Sequence, residues 1–111
     1  MSSSLRLSAE VVKTKAFGDI AVGYTLIGDI TARPIRILYI QNQTDAALMF
    51  SLNGVDDHFP LLDRGYFTID ITTNKTVSQG FFVTKGQGFY VKQLGIPTQG
   101  SVYVSCFYAD V

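Results

Sequence analysis

The stretch SVYVSCFY, Ser101–Tyr108, decides the fold. Val102, Val104, Cys106 and Tyr108 share one parity, and Ser101, Tyr103, Ser105 and Phe107 share the other. A period of two belongs to an extended strand, because successive Cβ atoms leave a pleated backbone on opposite sides. This run is too apolar for an edge and is expected as an inner strand. Working outward, YFTIDIT (66–72) repeats the pattern, with Phe67, Ile69 and Ile71 against Thr68, Asp70 and Thr72. Further strand candidates are LRLSAEVV (5–12), IAVGYTLI (20–27), RILYIQN (36–42), ALMFSL (47–52), QGFFV (79–83) and GFYVKQL (88–94). Between them lie clusters rich in Gly, Pro, Asn and Asp, such as GDITARP, NQTD, LDRG, TTNKT, KGQG and GIPTQG. Short strands separated by turn chemistry at fairly regular spacing predict a sandwich or barrel. No stretch carries a sustained helical period with caps. The expectation is an all-β, antiparallel β-sandwich of about eight short strands with little or no helix. It forms one domain over residues 5–111, behind a flexible polar arm at residues 1–4.

A chain of 111 residues is one domain's worth. Its 47% hydrophobic content and 13% aromatics supply a core without staples. Nine Lys and Arg balance nine Asp and Glu, and the basic residues are scattered from Arg6 to Lys92. Proteins that track phosphates need clustered cations, since counterion release supplies their affinity. Nucleic acid is therefore not an expected partner. The start MSSSLRLSAE lacks the apolar run of a secretory leader, and no apolar stretch approaches the roughly 20 residues that span a bilayer. Synthesis and folding in a cytosol, with no membrane partner, are expected. The matches NQT at Asn42 and NKT at Asn74 to the glycosylation pattern then carry no weight.

The one histidine lies in FSLNGVDDHFPLL (50–62), beside Asp56 and Asp57. Asn53-Gly54 is a strong hairpin signal, in a turn that Val55 and Asp56 can extend, and DHFPLL reads as the returning strand. Adjacent Asp57 and His58 then point to opposite faces and share no ligand. A zinc or non-haem iron site also needs more His or Cys than are here. The single Cys106 cannot form an internal disulfide, and mid-strand it behaves as a small hydrophobe. A Cys106–His58 nucleophile and base pair would need an electropositive, partly exposed thiol, which nothing nearby provides. Gly86-x-Gly88 in TKGQGF precedes a strand, not the helix of a phosphate-binding loop, and reads as a turn. No serine sits in a strand-to-helix nucleophile elbow. No catalytic residue, metal or cofactor is expected.

Several strands carry large side chains on both faces, whereas each sheet of a two-layer sandwich has only one inner face. The surplus aromatics cover a long loop, a partner subunit or a larger surface. Tyr and Phe are enriched in interface cores, so a protein partner is one reading of them.

Over most of its length the chain resembles small virion proteins of tailed bacteriophages. The likeness runs through IQNQTDAALMFSLNGVDDHFPL, then TTNKT leading to GFFVTKGQGFYVKQLG, then PTQGSVYVS. In length and texture it is similar to the capsid decoration, or staple, protein of epsilon15-like short-tailed phages. The resemblance implies a sandwich of jelly-roll type on the outer surface of the virion. It implies two partners, the major capsid protein and a second copy in a homodimer, with neighbouring shell subunits clamped together. Tyr24, Tyr66, Tyr90 and Tyr103 are then the candidate contact residues, each an aromatic on the less regularly apolar face of its strand. Two other expectations stand beside it. A head-completion or tail connector shares the phage setting. A carbohydrate-binding module presents aromatics to sugar rings, though this chain has no Trp.

Overall fold

The computed structural model describes residues 6–70 and 83–110. They form strands β1 (Arg6–Ala9), β2 (Lys13–Ala16), β3 (Thr25–Leu26), β4 (Ile37–Thr44), β5 (Leu48–Ser51), β6 (Phe59–Leu61), β7 (Tyr66–Asp70), β8 (Tyr90–Gln93) and β9 (Gly100–Asp110). The described helix is a single 3-10 turn at Phe17–Asp19. The strands make two antiparallel sheets. The first runs β1–β9–β4–β7, with β2 also on β9, and the second runs β3–β8–β5–β6. The fold is an all-β sandwich.

SVYVSCFY lies within β9, the inner strand of the first sheet. It pairs with β4 from Ile37↔Phe107 to Thr44↔Gly100. Its other edge carries β1 and β2 end to end. The inward parity is the one that alternation predicts: Val102, Val104 and Cys106 are buried with Leu38 and Ile40 of β4. They meet Leu48, Phe50, Phe89 and Val91 from the second sheet in one cluster. Burying each such side chain contributes about 1.5–3 kcal/mol, so this layer is the main stabilising term. Aromatic rings continue it between the sheets. Phe59 of β6 lies 5.5 Å from Phe50 and 4.6 Å from Phe67 of β7, stacked on both.

One polar side chain also joins the layers. Asn42 takes an inward position on β4 and is fully buried. Its amide nitrogen faces the carbonyls of Ala46 (2.9 Å), Leu61 (3.1 Å) and Leu62 (3.0 Å). Its carbonyl accepts the N–H (3.0 Å) and hydroxyl (2.6 Å) of Thr44. A buried amide is tolerated only when satisfied in this way, and here it ties β4 to the end of β6. Gly100, with φ at +93°, opens β9 where a Cβ would stand 2.0 Å from the Gln43 carbonyl oxygen. Only glycine fits there.

The strands differ from the sequence reading at their ends. LRLSAEVV is broken: between Ala9↔Phe107 and Lys13↔Val104, Glu10, Val11 and Val12 face only Ser105 and Cys106. That is a bulge of one residue. The Glu10 carboxylate drives it, accepting the N–H groups of Ala32 (2.9 Å) and Arg33 (3.0 Å). IAVGYTLI contributes only Thr25–Leu26; upstream of it the carbonyls of Ile20 and Ala21 accept the side-chain amide and the backbone N–H of Gln93. Of QGFFV only Val83 is described, bridged to Ile35. The arm at residues 1–4, and TTNKT with the end of YFTIDIT, lie outside the described residues.

Asn53-Gly54 sits in a turn wider than a two-residue hairpin. β5 ends at Ser51 and β6 begins at Phe59. Only Gly54 has positive φ, +76°, so the primed turn that needs both central residues there does not form. The Asn53 side chain holds the loop instead, accepting the N–H groups of Val55 and Asp56, both at 2.9 Å. The shortened β6 follows from that wider loop.

Candidate interaction surface

Strand parity fixes the outer face of the first sheet. With Leu38, Ile40 and Asn42 inward, Ile37, Tyr39, Gln41 and Gln43 must face out. Their neighbours on β9 are Phe107, Ser105, Tyr103 and Ser101. On β7 they are Asp70, Thr68 and Tyr66. Beyond β9, Thr14 and Ala16 of β2 and Leu7 and Ala9 of β1 complete the face. Among these outward positions only Asp70, on the outer strand β7, carries a charge. Tyr66 is 66% exposed and Tyr103 38%. Tyr66 meets Tyr39 edge to face, with ring centroids 5.8 Å apart.

The four candidate tyrosines separate. Tyr66 and Tyr103 flank Gln41 on this face. Tyr24 and Tyr90 lie on the opposite side of the sandwich, with the second sheet. Tyr90 packs under the Asn53-Gly54 turn, where a Cβ on Gly54 would stand 3.2 Å from its ring. Tyr24 donates its hydroxyl proton to Asp57 at 2.5 Å. Lys92 closes that cluster, with its Nζ 2.9 Å from the Asp57 carboxylate and 4.7 Å from the Tyr24 ring centroid. Desolvation and the neighbouring carboxylate push the Tyr24 hydroxyl up to about 12. The Tyr24 and Lys92 donors hold Asp57 below the usual carboxylate range.

The His58 ring makes its described hydrogen bond outside that cluster. Its Nδ1 accepts the N–H of Leu52 at 2.8 Å and closes the loop. Cys106 is buried in the core, where desolvation pushes its thiol up to about 11, and His58 is exposed in the loop that leads into β6. Gly86 turns the chain at φ +84°. Its N–H bonds Thr31 at 2.8 Å, so the KGQG segment is clipped to the loop before β4. Among the described residues no three His, Cys, Asp or Glu side chains converge, and no helix is long and apolar enough to cross a membrane.

A groove of about 550 Å³ lies at the bulge, lined by Val11, Val12, Ile30, Lys13, Arg33 and Tyr108 among others. Its polar groups are largely engaged with one another: Lys13 with Glu10 at 3.4 Å, and Arg33 over the Tyr108 ring at 4.6 Å. Tyr39 and Ile37 are surface residues that a reading of single aromatics misses. The signal that finds them is the alternation of RILYIQN itself.

No family model, no curated protein and no solved structure matches the chain.

Proposed function

We propose that this chain is a structural virion protein. It binds the outside of an assembled bacteriophage capsid, with the major capsid protein as its partner, and has no enzymatic role. Beside the sequence resemblance, the supporting observation is the strand order. Counting β1 and β2 as one strand, since both lie along one edge of β9, leaves eight among the described residues. Numbered in chain order, the first with the eighth, second with seventh, third with sixth and fourth with fifth are all paired. A long hairpin of eight strands in four successive pairs, wrapped into two sheets, gives that pattern. This supports a jelly roll, the double-sheet arrangement used by viral capsid domains among others. One fold hosts many functions, so the capsid part of the reading rests on the resemblance.

The mechanism is mass action. A protein that binds only the assembled shell lowers its free energy relative to free subunits. A binder that grips two subunits makes its second contact intramolecularly, so modest contacts accumulate. The test is the copy number of this chain in purified virions, by quantitative mass spectrometry against the major capsid protein. A ratio near one per shell subunit is expected. A few copies per particle would make it a connector or tail component, and absence from particles would discard the reading.

A further inference from the structure

We propose that the groove at the Glu10 bulge takes an extended segment of the shell protein, with a carboxylate of that segment on Arg33 and its apolar side chains on Val11, Val12 and Ile30. This names the docking site for the partner proposed above, and it rests on that reading. Exposed apolar groups collect here: Val11 is 88% exposed, Val12 49% and Ile30 48%. All three line the one groove of about 550 Å³. That volume is room for a few residues of a peptide.

The main chain along this edge is open to such a segment. Hydrogen bonding in an antiparallel strand alternates between its two neighbours. The Cys106 carbonyl accepts the N–H of Glu10 at 3.0 Å, and the Phe107 carbonyl accepts that of Arg36 at 2.8 Å, so odd-numbered residues of β9 bond toward β4. Ala9, opposite Phe107, and Thr14, opposite Tyr103, therefore turn their N–H and C=O groups away from β9. Both line the groove. Between them the Val11 and Val12 main chains make no hydrogen bond to a described residue. Among the described residues no strand lies along this edge. An extended chain laid here satisfies those groups as a further strand would.

Arg33 sets the charge of the segment. Its guanidinium lies over the Tyr108 ring at 4.6 Å. Stacking uses the face of the cation and leaves the N–H fork at its edge for a carboxylate. Among the described residues no carboxylate pairs with it. The acids of the groove are already engaged: Glu10 accepts the N–H groups of Ala32 and Arg33 and faces Lys13, and Asp29 accepts the N–H of Ile30. The unmatched charge is positive, so the complementary segment is acidic. The same Glu10 contacts tie the bulge to the loop after β3. Both walls of the groove are thus in place before binding, and little ordering is required of this chain.

Co-sedimentation of the full chain with shells stripped of it tests this. Val11→Asp sets a like charge against the acidic segment at an exposed position and should weaken binding about 100-fold. Arg33→Gln removes the cation and should weaken it about tenfold. Both should leave the thermal melt unchanged. Lys92→Gln, on the opposite side of the sandwich, should bind as the wild type does. A groove variant that binds as tightly as the wild type, or a loss of the same size for Lys92→Gln, would overturn the proposal. If a groove variant does not fold, hydrogen exchange of the wild type decides. The Val11 and Val12 amides, open in the free chain, must slow on the shell, and unchanged exchange would overturn it. Failure of the virion reading looks different, because the wild type itself then leaves the shells bare and both proposals fall. Wild-type binding that ignores the groove changes sinks this one alone.

Discussion

The two outer sides of the sandwich carry aromatics of the same kind and put them to different use. On the second sheet's side the rings are already partnered. Tyr24 is held by Asp57 and Lys92, and Tyr90 lies beneath the Gly54 turn. On the first sheet Tyr66 and Tyr103 remain exposed, and the described ring contact there is Tyr66 with Tyr39. Aromatic content alone therefore does not mark a binding surface. An aromatic whose polar tip and ring face are satisfied within its own chain gains little from a partner, whereas an exposed, unpinned ring gains its full burial.

The largest way to break this comparison is to part the layers that hold both faces. Asn42→Asp keeps the shape and replaces a donor facing three carbonyls with a carboxylate. A buried charge without a counter-charge costs about 3–5 kcal/mol, and chemical denaturation should show a loss of that size at pH 7. Burial raises the folded-state pKa of the introduced carboxyl above its unfolded value. The deficit should therefore shrink on acidification and be smallest below about pH 4. A loss under about 1 kcal/mol, or one independent of pH, would mean Asn42 is not the clamp between sheets.

Asn42 also shows where sequence reading stops. The parities of β9, β4 and β7 were legible, because Val102, Val104, Leu38, Ile40 and Phe67 repeat at a period that only a half-buried strand explains. Once parity is known, Tyr39 and Ile37 must face out with Tyr103 and Tyr66. What local pattern does not hold is the sheet to which each strand belongs, since that is set by pairings such as Thr25↔Val91, far apart in the chain. Tyr24 and Tyr90 accordingly carried the same signal as Tyr66 and Tyr103. The bulge at Glu10 was hidden for the same reason: its cause is a carboxylate reaching the amides of Ala32 and Arg33. The IQNQT segment reads as an ordinary strand end until Leu61 and Leu62 are brought to it.

A smaller intervention disturbs one side only. Gly54→Val combines a strained φ with a Cβ 3.2 Å from the Tyr90 ring, and should cost about 3 kcal/mol. Gly86→Val carries the same backbone penalty at φ +84°, with nothing within 4 Å of its Cβ, and should cost about 2 kcal/mol. The difference, read from urea midpoints at constant slope, measures the closure of the turn over Tyr90. Equal losses would show that Tyr90 is not held by that turn.

The smallest expected effect is the most selective, because it touches only the Tyr24 network. Tyr24 has its pKa raised to about 12 in the folded chain, from an ordinary value of 10.0. A raised folded pKa means that its contribution is complete below about pH 10 and is lost as pH climbs through 12. Asp57 moves the other way. Its depressed pKa makes a contribution that is present above the usual carboxylate range and lost on acidification. Between those limits the network should be insensitive to pH. Subtracting the ultraviolet titration of Tyr24→Phe from that of the wild type isolates the Tyr24 midpoint. Asp57→Ala should move that midpoint down toward 10 without reaching it, because desolvation is the larger cause and the carboxylate the lesser. An unchanged midpoint would dissolve the Tyr24–Asp57 link, leaving Lys92 over the ring as the hold on Tyr24 and the contrast between the two sides without its hydrogen-bonded half.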